Sequence, residues 1–442
     1  MSVDAFLAWF RANGGTFHAS AEFTPVPSGY SILANAGIPA DATVVSCPFS
    51  LAITPQVAKK SLVKLLNGEK ALEGWSERQL LCVYLCFHGI VPADTHAEHD
   101  LAHKPYLDTL PSQDKLTTAL HFTEGELDQF RGSNLYGAAV DREQSWKAEW
   151  EACRGAVAQV NEEWGKAFTW DAYLTTSTYL SSRAFPSTVL SSTPTLQSAP
   201  DSHPVLLPGI DSLNHARATP VSWVVSTTSS PPDSSASSQI SKESISIVLH
   251  RPTRSGGELV NNYGGKPNSE LVLGYGFSLP SNPEDTIVLA IGDPREADAG
   301  PGKPTRRKWE VGRDARGAED VWEVVLGKVK GASQGQNGRQ DKGNEEDKPP
   351  EDEEEAATPA YEDKLEAAQM LADMVETLLD RLPSDKAGAK RAAAMRPEVA
   401  QMLHDYIAGQ RDILESLLKF AMQKETEAVE EAREAGVELV FE

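Results

Sequence analysis

Apolar positions recur at helical spacing from the start of the chain: Val3, Phe6, Leu7 and Phe10 share one side of a segment that stops at Asn13-Gly14-Gly15. Ser2 stands where an N-cap is expected. The pattern then shortens to strand-like pieces at 29–34 and 42–46, separated by a turn at Gly37-Ile38-Pro39. Over 55–168 the period is helical again. Val57, Leu62, Leu65 and Leu66 form one stripe, 80–87 reads as buried, and Trp146, Trp150, Val157 and Trp164 recur along a longer helix. A further helix is predicted over 170–185, leading to Pro186.

The period changes once more beyond this point. Residues 205–207, 222–225, 245–249 and 286–291 read as strands, with Ile245, Ile247 and Leu249 alternating cleanly. The Ser/Pro-rich stretch 226–241 is expected to be a disordered loop between strands. Residues 331–359 are rich in Gln, Gly, Lys and Glu and contain five consecutive acids from Glu351 to Glu355, the composition of a solvated linker. Beyond it, Leu365, Leu371, Val375 and Leu378 mark one helix, and Leu403, Tyr406, Ile413, Leu417 and Phe420 mark others. The expected plan is α+β. A β-containing core over 15–295 is split by a helical insertion near 58–180, and a mainly helical region follows over 296–442, interrupted by the acidic linker.

Composition narrows the function classes. With 442 residues, 40% hydrophobic and 24% charged, the chain has room for more than one core. A net charge of −23 argues against a nucleic-acid partner, because phosphate contacts need clustered Lys and Arg, and it suits a basic protein partner instead. The four cysteines, Cys47, Cys82, Cys86 and Cys153, form no CxxC pair, so neither a zinc cluster nor a disulfide framework is indicated. A reducing compartment, cytoplasm or nucleus, is the expectation. No apolar run is long enough to span a bilayer, no signal peptide is read at the start, and a monomer is expected.

Three segments set polar side chains and glycines among apolar residues: Pro208-Gly209-Ile210-Asp211-Ser212-Leu213-Asn214-His215, then 256–264, which contains Gly257-Glu258-Leu259 and Tyr263-Gly264, then 270–277, which ends Tyr275-Gly276-Phe277. Buried polar groups cost free energy unless partnered, so such clusters need a reason. In this order the segments D-x-x-NH, G-E-L-x-x-x-YG and E-L-x-L-x-YGF resemble the SET-domain methyltransferases. The resemblance is to the branch that modifies the Rubisco large subunit, ribosomal proteins and actin histidine. Ser182-Arg183-Ala184-Phe185 resembles that branch's S-R-x-F element, Pro105-Tyr106-Leu107 with Leu110-Pro111 its P-Y-L-x-x-L-P signature, and 406–414 part of its helical C-terminal domain.

The resemblance implies a SET-type β core with a helical insertion, a helical substrate-recruitment domain over 296–442, and S-adenosylmethionine as cofactor. It implies protein-lysine N-methylation of a non-histone protein, for example a ribosomal one. It also leaves open histidine methylation and a catalytically silent module that only binds a partner. Asn214, His215 and Tyr263 stand intact, against the silent reading. Tyr263 matches the family's catalytic tyrosine. Arg183, Asn214 and His215 match cofactor contacts, as does the early turn containing Tyr30, Ser31, Ile32 and Leu33, where Ser31 replaces a second glycine and leaves less room for backbone approach. Asp211, Tyr275, Phe277 and Ser187 match substrate contacts.

The chemistry asks for these residue types as well. Methyl transfer from a sulfonium is an in-line displacement by a neutral amine, so an apolar channel that lowers the lysine pKa and hydroxyls that orient the amine suffice, with no metal. His96, Glu98, His99 and His103 invite a metal reading, but their spacing is neither HExxH nor HxxEH, and exposed histidines on a loop are expected. Cys82 and Cys86, at i and i+4 of an apolar helix, read as structural thiols.

Overall fold

The computed structural model describes residues 2–228, 242–291, 307–340, 361–383 and 395–437. Before the long helices come α1 (Ser2–Ala12), β1 (Thr16–Phe17), β2 (Ala21–Val26), β3 (Gly29–Ala34), β4 (Ala42–Pro48), α2 (Pro55–Leu65), α3 (Glu77–Ile90), α4 (Lys104–Leu107) and α5 (Glu124–Leu127). Then follow α6 (Asn134–Val160), α7 (Glu162–Ala167), α8 (Trp170–Arg183), β5 (Phe185–Pro186), β6 (Pro204–Val205), β7 (Asn214–His215), β8 (Val221–Thr228), β9 (Lys242–Leu249) and β10 (Val260–Asn261). The remainder holds α9 (Asn268–Glu270), β11 (Thr286–Ile291), β12 (Arg307–Gly312), α10 (Ala318–Gln340), α11 (Tyr361–Arg381) and α12 (Pro397–Glu434).

The chain forms two compact bodies. The first comprises Met1–His121, Val140–Gly265 and Gly274–Gly276, and the second Phe122–Ala139, Lys266–Leu273 and Phe277–Glu442. In the first body, β1, β4, β9 and β8 make an antiparallel sheet in that order, β2 and β3 a hairpin, and β7 and β10 a short parallel pair. The helices that interrupt the strands have clear local causes. Thr54 accepts from the Val57 amide to open α2, and Ser76 and Gln79 form a capping box at α3. All of 80–87 is buried, so α3 is surrounded by the core rather than resting on it. Phe6 and Phe10 of α1 are fully buried and stack at 5.3 Å, which anchors the start of the chain in the same core.

In the second body, β11 pairs with β12, and α12 packs along α11. The buried Glu126 carboxylate accepts from the Arg396 guanidinium at 2.9 and 3.0 Å and from its amide at 3.0 Å, which ties the start of α12 to α5.

Several expectations meet a different structure. Helix α10 continues to Gln340, ten residues into the stretch read as linker, while 341–359 lie outside the described residues. Of the expected loop 226–241, residues 226–228 continue β8 against β9, and 229–241 lie outside the described residues. His96 and His103, expected on an exposed loop, are 7% and 4% exposed. The segment from Ala93 to His99 is a 3-10 helix that turns His96 inward, and His103 packs on Tyr84 of α3. Among the described residues, no three His, Cys, Asp or Glu side chains are grouped to hold a metal ion. Cys82 and Cys86 are buried free thiols, pushed up by burial.

Candidate active site

The pairing of β7 with β10 sets Asn214 beside Val260 and His215 beside Asn261. The stretch before β10 runs along β3: the Leu259 amide donates to Ile32 O at 2.8 Å, the Ala34 amide to Gly257 O at 2.8 Å, and Leu33 bridges to Glu258. Three of the sequence segments therefore meet in one place. Asn214 Nδ2 donates to Ser31 Oγ at 3.1 Å and to Glu258 Oε1 at 2.7 Å. The two contacts fix its amide orientation and leave the residue itself exposed.

Tyr263 is held at several points. Its amide donates to His215 Nδ1 at 3.0 Å, which makes that nitrogen the acceptor, and its hydroxyl donates to Leu213 O at 2.9 Å. The ring lies 5.0 Å from the His215 ring and 5.5 Å from that of Tyr275. Burial pushes the phenol up from its ordinary value, opposed by the Arg183 charge and reinforced by Asp211, so it stays protonated at neutral pH. Tyr275 ends a π-helical turn over Leu271–Tyr275. Gly276 then takes φ +82°, where an added Cβ would lie 2.8 Å from Thr117 Oγ1 and 2.9 Å from Thr118 N. The glycine of Y-G-F is thus required by both conformation and space.

Behind the tyrosines lies a buried polar cluster. Gly209, at φ +82° with Phe10 and Phe17 within 3.1 Å of where a Cβ would be, turns the chain into a 3-10 segment over Ile210–Ser212 that buries Asp211. Asp211 Oδ2 accepts from Tyr106 Oη at 2.6 Å and from Arg183 Nη1 at 3.2 Å, and Arg183 Nη1 also donates to Asp211 O at 3.1 Å. Burial raises the Asp211 carboxyl above its ordinary value, against the pull of Arg183. Burial pulls the Arg183 guanidinium down, but Asp211 more than offsets it, so the group lies above its ordinary value and stays charged.

The sequence-derived residues separate into groups. Ser31, Asn214 and His215 come together with Tyr263 and Tyr275. Ile32 and Leu33 lie on the same strand, their main chain bonded to the segment preceding β10, and Tyr30 pairs with Pro25 in the hairpin. Arg183 and Asp211 pair with each other. Ser187 instead faces His203: its amide donates to His203 O at 2.8 Å and its hydroxyl accepts from the His203 amide at 3.1 Å. Phe277 is half-buried and belongs to the second body. Two participants lacked a role in the sequence reading, Tyr106 and Glu258. Both stand inside the motifs, yet their partners are far away in the chain, so the sequence signal is only a polar group within an apolar run.

No family model matches the chain. It is 32% identical over 285 residues to the ribosomal lysine N-methyltransferase set10 of Schizosaccharomyces pombe, covering 63% of this chain and 46% of that protein. It is 28% identical over 220 residues to ribosomal lysine N-methyltransferase 1 of Saccharomyces cerevisiae, covering 42% of this chain and 34% of that protein. The matches thus span less than half the length of these relatives. Among solved structures, the SET domain of LSMT bound to lysine and AdoHcy superposes with TM-score 0.70 at 15% identity, covering 97% of this chain and 92% of that one. Rubisco LSMT bound to AdoMet gives the same score and identity over 97% and 93%. The chain has the SET-domain fold and is similar in sequence to the two ribosomal lysine N-methyltransferases over part of their length.

Proposed function

We propose that this chain is an S-adenosylmethionine-dependent protein-lysine N-methyltransferase that acts on a non-histone protein, with a ribosomal protein as first candidate. The observation that carries the reading is the seating of Tyr263, whose ring and hydroxyl are fixed beside the Asn214-His215 pair in a chain homologous to ribosomal lysine N-methyltransferases. The residues present suit the cofactor. Asp211 Oδ1 and Asn261 Nδ2 are buried without a hydrogen-bond partner among the described residues, an acceptor and a donor. A ligand that carries both an ammonium and a carboxylate, as the methionyl end of S-adenosylmethionine does, can satisfy both kinds.

The bound sulfonium supplies an electrophilic methyl group. The chain's part is positioning. The Tyr263 and Tyr275 rings, packed 5.5 Å apart, would give an entering lysine an apolar surface that favours its neutral form, its proton leaving to solvent beforehand. Transfer of that methyl would add an N–C bond at the neutral amine and would leave the cofactor as its thioether. The Tyr263 hydroxyl, already donating to Leu213 O, keeps its lone pairs for the amine N–H or the polarised methyl. Its raised pKa keeps a competing phenolate nucleophile from forming. The net charge of −23 suits a basic partner, and the proposed setting is the cytoplasm or nucleus, with the chain a monomer. Among the described residues, no helix is long and apolar enough to cross a membrane.

The test is Tyr263→Phe, which removes one oxygen and keeps the ring. Turnover on a ribosomal-protein substrate is expected to fall about a hundredfold or more, with cofactor affinity and melting temperature close to wild type. A fully active Tyr263→Phe protein would remove the tyrosine from the mechanism.

A further inference from the structure

Tyr106 belongs to a short helix remote in sequence from every other site residue, and its side chain is 0% exposed. Its ring sits 6.3 Å from Phe6 in the core, which alone would explain a phenylalanine. The hydroxyl needs a partner, and the partner is the Asp211 carboxylate at 2.6 Å.

The way the carboxylate is divided gives that contact meaning. Both side-chain donors, Tyr106 Oη and Arg183 Nη1, converge on Oδ2. Oδ1 is buried and has no hydrogen-bond partner among the described residues. The same Arg183 nitrogen also donates to Asp211 O, so arginine alone follows the backbone as much as the side chain. The phenol is the shorter of the two contacts to Oδ2, and it donates to the side chain rather than to the main chain. We propose that Tyr106 is a positioning residue that pins the Asp211 carboxylate through Oδ2 and so presents Oδ1 to the ammonium of an incoming ligand. That ammonium is the lysine amine before it loses its proton or the α-ammonium of the cofactor. The titratable groups facing Asp211 are Tyr106, Arg183, the Cys47 thiol and the Tyr263 phenol. Of these Arg183 alone carries charge at neutral pH, so the phenol's hydrogen bond is the second support of the ionised carboxylate.

The activity arm of the test rests on the methyl-transfer reading, and the stability arm does not. Tyr106→Phe, Asp211→Asn and the double variant are compared in the full chain. The melting-temperature loss on Tyr106→Phe is expected to shrink at least by about half when residue 211 is Asn, because the hydrogen bond is then to a neutral acceptor. An equal loss in both backgrounds would show that the phenol does not act through the carboxylate and would overturn the proposal. In activity, the acid limb of kcat/KM for Tyr106→Phe is expected to move up by about one pH unit, and an unmoved limb in an active variant would overturn it too. Calorimetry with S-adenosylhomocysteine assigns the ammonium: a Kd unchanged within about twofold places the lysine at Oδ1, and a weakened Kd places the cofactor there. Should Tyr106→Phe fail to fold, 3-fluorotyrosine at this position, a stronger donor, is expected to move the acid limb down, and no movement counts against the proposal. A wild-type chain that transfers no methyl group would sink the methyltransferase reading, while the stability cycle would still decide whether Tyr106 acts on Asp211.

Discussion

Mild acid is expected to destabilise the first body through two histidines that folding keeps neutral. His88 and His103 are 2% and 4% exposed. His88 Nδ1 lies 2.9 Å from Tyr84 O and its Nε2 accepts from the His103 amide at 3.3 Å, so both ring nitrogens are engaged in the neutral form. A proton on Nε2 would face that N–H. His103 Nδ1 lies 2.6 Å from Tyr84 Oη. Burial lowers His88 from 6.5 to about 3 and His103 from 6.5 to about 4, with His96, His103 and Lys104 adding repulsion at His88.

Because the folded values lie below the unfolded one, the unfolded chain takes up protons first as pH falls through 6.5. The contribution of these two histidines is therefore flat above pH 7 and declines from about 6.5 toward 4. At pH 5 each histidine contributes about 1.5 pH units of unfolded-state protonation, or about 2 kcal/mol, and the two together on the order of 4 kcal/mol. Denaturant unfolding at pH 7 and pH 5, followed through the tryptophans, measures it. The His88→Gln, His103→Gln double variant, with no titrating ring at either site, is expected to lose most of the difference. A double variant with the same pH dependence as wild type would refute the assignment.

Further outcomes follow from the same geometry. Asn214→Ala removes the amide that links Ser31 to Glu258 and is expected to weaken S-adenosylmethionine binding about tenfold, and unchanged affinity by calorimetry in the folded variant would count against it. Gly409→Ala would ordinarily stabilise α12, but the new Cβ would lie 2.4 Å from Asp285 Oδ2, a carboxylate held by Arg313 and Asn268. The expected result is a loss of about 1–3 kcal/mol, seen as a lower melting temperature, and a gain would show that this network yields. Glu126→Gln removes a carboxylate that burial pushes up but Arg396 draws down to about 2. It is expected to destabilise the second body at pH 7, with the difference vanishing as pH falls toward 2.

Elements governed by local patterning were legible in the sequence. The strand over 29–34 and the strand over 286–291 stand where alternation and β-branched content put them, and the helix read over 170–185 is observed as Trp170–Arg183. Elements that exist through distant partners were not. β12, Arg-Lys-Trp-Glu-Val-Gly, has four polar or glycine positions and is a strand because β11 pairs with it residue for residue. The two-residue β7–β10 pair carries the site but has no period of its own. In the same way Asn214, His215 and Tyr263 could be picked out by motif, whereas the roles of Tyr106 and Glu258 depend on Asp211 and Asn214 lying against them. The inward turn of His96 and His103 depends on packing on α3, which histidine spacing does not encode.

The most direct measurement of the central claim is methyl transfer to an identified residue. The purified chain is incubated with ribosomal proteins and methyl-labelled S-adenosylmethionine, and the labelled protein is sequenced by mass spectrometry. Label is expected on a lysine side chain and is expected to be lost with Tyr263→Phe. Cofactor binding without any labelled protein would make the chain a scaffold, and label on histidine would contradict the lysine assignment.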